Sequence, residues 1–279
     1  MLSSRKSPMT EPRYITEARN MAAAVRHQMH LGLEAVANIF HLMEEFGLPV
    51  ARRDMGTDGP DGIYANSGRV VVAVINTSRP RNRQRFTAGH ELGHHVFDSD
   101  AGLQVDQDIF QMQNLQERRA NAFAAHFLMP EDGIRSLLSK DSLKSRADPQ
   151  DVVHLAYHFG VSNQAIIYQL HNLNIIRARE RDRFLEMDED GSLIAIAWKC
   201  GYSPARSQQP GSHGEKLRLP ADFIRRAIDA YTSSKISLSR LAELLERSDV
   251  EVLEQDLLEA NLIPVAADVD EYREDVEHA

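Results

Sequence analysis

A pair of histidines four residues apart constrains this chain more than any other feature. The motif is His90-Glu91-Leu92-Gly93-His94, within a predicted helix over 80–97 that follows a strand rich in β-branched residues at 69–75. Residues four apart lie on one face of an α-helix, so both imidazoles can reach one metal ion. Glu91 lies beside them, where its carboxylate can accept a proton from water. His95 is turned about 100° further around the helix and is not expected to be a ligand.

Two histidines leave a catalytic zinc site incomplete, because such sites use three protein ligands and one open position. Asp100 and Glu117 are the candidates for the third ligand. Glu117 is favoured, because it lies in a predicted helix over 115–128 and the chain between it and His94 is long enough for that helix to pack beside the first. Asn121, one turn beyond Glu117, is placed to accept the second ring N–H of a histidine ligand.

Composition narrows the class of protein and its surroundings. The 279 residues are 42% hydrophobic and 26% charged, the usual mixture of a soluble globular protein. A formal net charge of −9 provides no overall attraction to nucleic acid. Cys200 is the single cysteine, which excludes an intramolecular disulfide and a zinc site built from several thiolates. No signal peptide or membrane-length apolar run is evident, so a cytoplasmic location is expected.

Two segments resemble the ImmA/IrrE family of metallopeptidases. The matching runs are RFTAGHELGH at 85–94 and ERRANAFAAHFLMP at 117–130, in the family's order and spacing. The resemblance extends over residues 30–178. Gly89, where a larger residue is usual, and Arg119, where glutamate is common, depart from the family pattern.

The resemblance implies a metalloendopeptidase of the gluzincin-like type, with a zincin-like fold built from a three-stranded sheet and the two motif helices. It implies His90, His94 and Glu117 as metal ligands and Glu91 as the general base. The expected metal is Zn²⁺, with Mn²⁺ possible because such a ligand set accepts several divalent metals. The implied substrate is a protein, namely a helix-turn-helix transcriptional repressor whose cleavage relieves repression in a stress response.

Two further expectations concern the substrate. Tyr157, His154 and His126 are candidates to stabilise the oxyanion of the reaction, although each has a structural role as an alternative. The strand at 69–75 is expected to be an edge strand that binds an extended substrate by β-augmentation.

Residues 151–176 are typical of a helix-turn-helix unit. The second helix, predicted over 162–173, contains no lysine or arginine, and its one basic-capable residue is His171. Phosphate contacts need cations, so direct DNA binding is not expected and a structural or partner-docking role is favoured.

The remaining elements are predicted from periodicity and turn residues, and no internal repeat is evident. Predicted helices lie within 16–46 and at 131–139, 149–159, 220–232, 238–246 and 250–260, and predicted strands at 50–53, 63–66, 184–187 and 193–199. Trp198 and Cys200, on the last of these strands, are expected to lie in the core.

The chain is therefore expected to be an α+β protein in three regions. Residues 15–140 form the zincin-like metallopeptidase domain, residues 141–178 a helix-turn-helix-like unit, and residues 179–279 a mainly helical C-terminal region of unassigned role. The alternative function is a DNA- or protein-binding transcriptional regulator whose metal site is structural or vestigial.

Overall fold

The computed structural model describes residues 12–97, 103–106, 115–138, 147–202 and 217–264. The chain divides into two compact units, Met1–Lys216 and Leu217–Ala279. None of the described helices has the length and apolar character needed to cross a membrane.

The first unit contains four strands, β1 Val50–Arg53, β2 Gly62–Asn66, β3 Val71–Asn76 and β4 Leu103–Asp106. Its described helices are α1 Arg13–Gln28, α2 Ile39–Glu45, α3 Arg81–Phe97, α4 Leu115–Leu128, α5 Glu131–Leu138, α6 Pro149–Phe159, α7 Asn163–Asn172, α8 Ala178–Glu189 and α9 Ser192–Lys199.

The sheet of the first unit has the strand order β4-β2-β3-β1. The strands predicted at 50–53, 63–66 and 69–75 correspond to β1, β2 and β3. Strand β3 is parallel to β1 and antiparallel to β2. The added strand β4 pairs antiparallel with β2 and comes from a segment that shows no strand pattern in the sequence. Because β3 is paired on both sides, the prediction that it is a substrate-binding edge strand is wrong.

Helices α3 and α4 pack against each other unusually closely. A Cβ added to Gly93 would lie 3.0 Å from the Cα of Ala120, and one added to Gly89 would lie 3.3 Å from the Cβ of Ala124. Two glycines one turn apart therefore let the backbone of α4 approach α3. At Gly89, where the family pattern has a larger residue, an added Cβ would make a tight contact with α4.

The helical segment predicted within 16–46 consists of two helices, α1 and α2, separated by a loop that contains Gly32. His30 (φ 54°) and Gly32 (φ 56°) adopt left-handed backbone conformations that end the first helix. The buried guanidinium of Arg26 holds the resulting loop, donating to the carbonyls of Gly32 and Glu34 and to that of Phe127 on α4. A side chain in α1 thus supports both the loop and the end of the second motif helix.

Helices α6 and α7 are joined by a short turn, residues 160–162. Asp148 caps α6 with a capping box, Gly160 ends it in the left-handed conformation (φ 65°), and Ser162 caps α7. The guanidinium of Arg85 on α3 donates to the carbonyl of Gly160 (3.0 Å) and to that of Val36. The turn between the two helices is therefore anchored to the helix that carries the histidine motif.

The strands predicted at 184–187 and 193–199 are wrong, because both segments are helical. Helix α9 buries Leu193 and Ala197, which are four residues apart, and α8 buries Phe184. In a short apolar run, periodicity alone cannot distinguish a strand from a helix. Here the buried residues are four apart, which is the spacing of a helix face. The predicted core positions fail for the same reason: Trp198 is 60% exposed and Cys200 is exposed.

The second unit, described over 217–264, contains a two-residue strand β5 Leu217–Arg218 and three helices, α10 Ala221–Thr232, α11 Leu238–Leu244 and α12 Val250–Glu259. The three helices agree with the predicted segments. Their core is small and consists of Ala227, Leu241, Ala242, Leu253 and Leu257.

Helices α5 and α10 begin in the same way, each directly after a proline. The carbonyls of Pro130 and Pro220 accept the amides of Ile134 (3.0 Å) and Ile224 (3.1 Å), each four residues later. Both proline–helix segments share the pattern Pro-x-Asp-x-Ile-Arg.

Candidate metal site

His90 and His94 lie one turn apart on α3, with both side chains completely buried. Their Nε2 atoms face each other at 3.0 Å. The phenol ring of Tyr64 on β2 stacks on the His94 ring with a centroid separation of 6.3 Å. The sheet therefore fixes the direction in which the histidine pair points.

Glu117, in the first turn of α4, completes a group of three potential ligands. Its Oε2 lies 3.2 Å from the Nε2 of His90, and its Oε1 lies 3.5 Å from the Nε2 of His94. A tetrahedral zinc ion with bonds of about 2.0–2.2 Å places its ligand atoms about 3.3–3.6 Å apart, close to these separations. The donor set and its spacing therefore fit a zinc ion. Asp100, the alternative third ligand, lies outside the described residues.

The histidines also shape the charge of Glu117. Burial would raise the pKa of this carboxyl group, but hydrogen bonds and charge interactions with His90 and His94 outweigh burial and hold the pKa well below its usual range. The Glu117 carboxyl group is therefore ionised, which is the state in which it can bind a divalent cation.

Asn121 holds the first histidine from behind. Its Oδ1 lies 2.9 Å from the Nδ1 of His90, and the side chain is nearly buried. An amide oxygen at this distance favours the tautomer in which Nδ1 carries the proton, leaving Nε2 free to coordinate. Glu117 and Asn121 are four residues apart on α4, so one face of this helix contacts both sides of the site.

Glu91 is completely buried beside the histidines. Its carboxylate packs against the backbone of Gly62 at the start of β2, so closely that a Cβ at this glycine would overlap the Glu91 Oε1 atom. The same Cβ would lie 2.6 Å from the methyl carbon of Thr87, one turn earlier on α3. Strand β2 therefore forms the wall against which the candidate base is held.

Comparison with known proteins agrees with the resemblance seen in the sequence. Residues 43–171, somewhat less than half of the chain, match the model of the peptidase family M78, the IrrE N-terminal-like domain. The chain is 34% identical over 114 residues to the radiation response metalloprotease IrrE of Deinococcus radiodurans, which covers 39% of this chain and 33% of that protein. The match thus spans about a third of the relative's length.

Among solved structures, a Mycobacterium tuberculosis transcriptional regulator matches with a TM-score of 0.40 and 19% identity, over 61% of this chain and 50% of that one. The expected resemblance to the ImmA/IrrE family is confirmed by the match of the IrrE N-terminal-like domain, which contains all three potential ligands and Glu91.

Sequence reasoning missed Tyr64 in the IrrE-like domain. Besides stacking on His94, its hydroxyl lies 3.3 Å from the Nδ1 of His95 and within 3.5 Å of the Asn66 amide. Burial lowers the pKa of His95, so the neutral ring is favoured at this position. The signal in the sequence is faint, a tyrosine in the middle of a short strand, and its partners become visible only once β2 lies beside α3.

The three oxyanion candidates contact residues outside the proposed ligand set. His126 lies nine residues after Glu117 on α4, about 13 Å along the helix axis, and its ring contacts Gln169. The Nδ1 of His154 lies 2.6 Å from the hydroxyl of Tyr202, and Tyr157 stacks on the same tyrosine at 4.3 Å.

Proposed function

We propose that this protein is a zinc-dependent endopeptidase of the gluzincin-like type. The observation that carries the proposal is the convergence of His90, His94 and Glu117, whose ligand atoms lie within 4.8 Å of one another, next to the buried Glu91. The IrrE N-terminal-like domain match supports a peptidase over the same residues. Manganese is a possible occupant in place of zinc, since two imidazoles and a carboxylate accept several divalent metals.

The residues of the chain have distinct roles in this proposal. A zinc ion at the site would acidify a water molecule and polarise the carbonyl of the peptide bond. Glu91 accepts a proton from that water and later donates it to the leaving amine. Burial of Glu91 beside the ligands suits this role, because a proton acceptor needs a fixed position within hydrogen-bonding distance of the water.

The substrate that best fits the proposal is a helix-turn-helix transcriptional repressor whose cleavage relieves repression in a stress response. Support comes from the resemblance of residues 85–94 and 117–130 to the ImmA/IrrE family and from the similarity to a radiation response metalloprotease. This substrate class requires a cytoplasmic location, which the use of a single cysteine favours. Helix α7 has no lysine or arginine, so the helix-turn-helix-like pair is proposed to contact protein instead of DNA.

The test is a cleavage assay with zinc-loaded protein and the helix-turn-helix repressor encoded nearest to its gene, with products measured by intact-mass spectrometry. The Glu91→Gln variant is the matched control, because it keeps all three ligands and removes the proton acceptor. A single cut made by the native protein and absent with the variant is the expected result. Equal effects of both proteins on repressor activity, without a cut, would instead indicate a regulator that acts by binding.

A further inference from the structure

A buried carboxylate outside the metal site is shared by two arginines. The side chain of Asp61, the residue before β2, is completely buried. Its Oδ1 accepts from the Nε of Arg79 (2.5 Å), and its Oδ2 accepts from the Nε (2.9 Å) and NH2 (2.6 Å) of Arg83. Both carboxylate oxygens are thus bound by charged donors, one oxygen by Arg79 in the segment before α3 and the other by Arg83 in its first turn.

The same region fixes the loop that precedes β2. Arg79 also donates to the carbonyls of Thr57 (2.7 Å) and Gly59 (2.8 Å). Asn76 at the end of β3 donates to the carbonyls of Gly56 and Pro60, each at 2.9 Å, and accepts from the amide of Met55. The start of β2 is therefore tied both to the sheet and to the metal-site helix.

The contacts between α3 and β2 follow a single stripe of the helix. Arg83, Thr87 and Glu91 are spaced four residues apart, so they lie above one another on one face over about 12 Å. Arg83 binds Asp61, whereas Thr87 and Glu91 pack against the next residue, Gly62. The ion pair at one end of the stripe therefore sets the position of the strand backbone on which Glu91 rests.

We propose that Asp61 is a positioning residue for Glu91: through its bonds to Arg79 and Arg83 it holds Gly62 against the Glu91 carboxylate. The inference rests on the proposed function, in which Glu91 is the proton acceptor. Asp61 belongs to neither the ligand set nor the group that would touch substrate. Its loss is expected to move Glu91 while leaving His90, His94 and Glu117 able to bind metal.

Three variants test the proposal by different routes. D61N removes the charge from the shared carboxylate, G62A inserts a methyl group where Glu91 lies, and R83Q removes one partner while Arg79 keeps its bond to Asp61. R83Q is included because it is the variant expected to fold normally: the Arg83 side chain is 31% exposed, and Asp61 keeps its ion pair with Arg79. The control is E131Q, which removes a carboxylate from the surface Arg135–Glu131 pair.

The first two measurements do not depend on peptidase activity. The zinc dissociation constant, determined by competition with a chelator, is expected to stay within about threefold of the native value in all variants. Crystal structures of the zinc-loaded proteins are expected to show the Glu91 carboxylate displaced by about 1 Å or more in D61N and G62A and unmoved in E131Q. If Glu91 stays in its native position in all three test variants, or if zinc affinity is lost in parallel, the positioning role is overturned.

The third measurement uses the repressor cleavage assay. A displacement of about 1 Å is expected to lower kcat about 100-fold with KM unchanged, because the substrate-binding surfaces remain intact. If Asp61 has a purely structural role, D61N changes the unfolding temperature but does not lower kcat at an unchanged KM. If the native protein does not cut the repressor, the proposed substrate fails, and the position of Glu91 in the variant structures still decides the role of Asp61.

Discussion

The Nδ1 atom of His90 lies 2.9 Å from the Oδ1 of Asn121, so the second motif helix both supplies the carboxylate ligand and orients a histidine ligand of the first. We expect Asn121→Ala to weaken zinc binding about 10–100-fold, because the His90 ring loses the partner that fixes its tautomer. Competition with a chelator measures the change. Asn163→Ala, which removes an amide bonded to Asp188 instead, should leave zinc affinity unchanged.

The two glycines at the α3–α4 contact should respond differently to alanine. At Gly93 the new methyl group would lie 3.0 Å from backbone of α4, which cannot move without shifting the helix, whereas at Gly89 it would meet the Cβ of Ala124 at 3.3 Å. Overpacking costs about 1–3 kcal/mol, and alanine in place of glycine regains about 1 kcal/mol in a helix. Gly93→Ala is therefore expected to lower the free energy of unfolding more than Gly89→Ala, as measured by urea denaturation. Equal losses would contradict the backbone contact as the cause.

Zinc should stabilise the native protein against unfolding. A ligand that binds only the folded state adds about 2.7 kcal/mol at a concentration 100 times its dissociation constant. We expect zinc to raise the unfolding temperature of the native protein and of Glu91→Gln, but not that of His94→Ala. A zinc-induced increase in His94→Ala as large as that of the native protein would place the metal elsewhere.

The neutral His95 ring should make stability depend on pH. Burial lowers its pKa in the folded protein, so the unfolded chain binds the proton more tightly. The stabilising contribution is complete above the ordinary pKa of about 6.5 and is lost as the pH falls below that value toward the folded pKa. Between pH 7.5 and 5.5, metal-free native protein is expected to lose more unfolding free energy than metal-free His95→Gln. An identical pH dependence of both would contradict this origin.

The sequence predicted the candidate site well where its residues are neighbours on a helix. His90, Glu91 and His94 follow from helical spacing, and Glu117 and Asn121 follow from a second helix of the right length and pattern. Residues that reach the site from the sheet could not be predicted this way. Gly62 and Tyr64 contact α3 because of the pairing of β2 with β3 and β4, and strand pairing is a long-range property.

The errors in the fold have related causes. The segment 193–199 has too few residues for its period to separate strand from helix, and burial on the first unit's core decides in favour of helix. The loop between α1 and α2 depends on Arg26, whose acceptors include a carbonyl 101 residues away.

The turn between α6 and α7 couples two positions that are 75 residues apart in the chain. Gly160 adopts a left-handed conformation (φ 65°), and a Cβ there would lie 2.9 Å from the Nε of Arg85, the side chain that anchors the turn to the metal-site helix. The left-handed conformation alone does not demand glycine, because the exposed Glu246 adopts it as well. A side chain at position 160 would have to displace the Arg85 guanidinium, so the residue types that fit at position 160 depend on which residue occupies position 85.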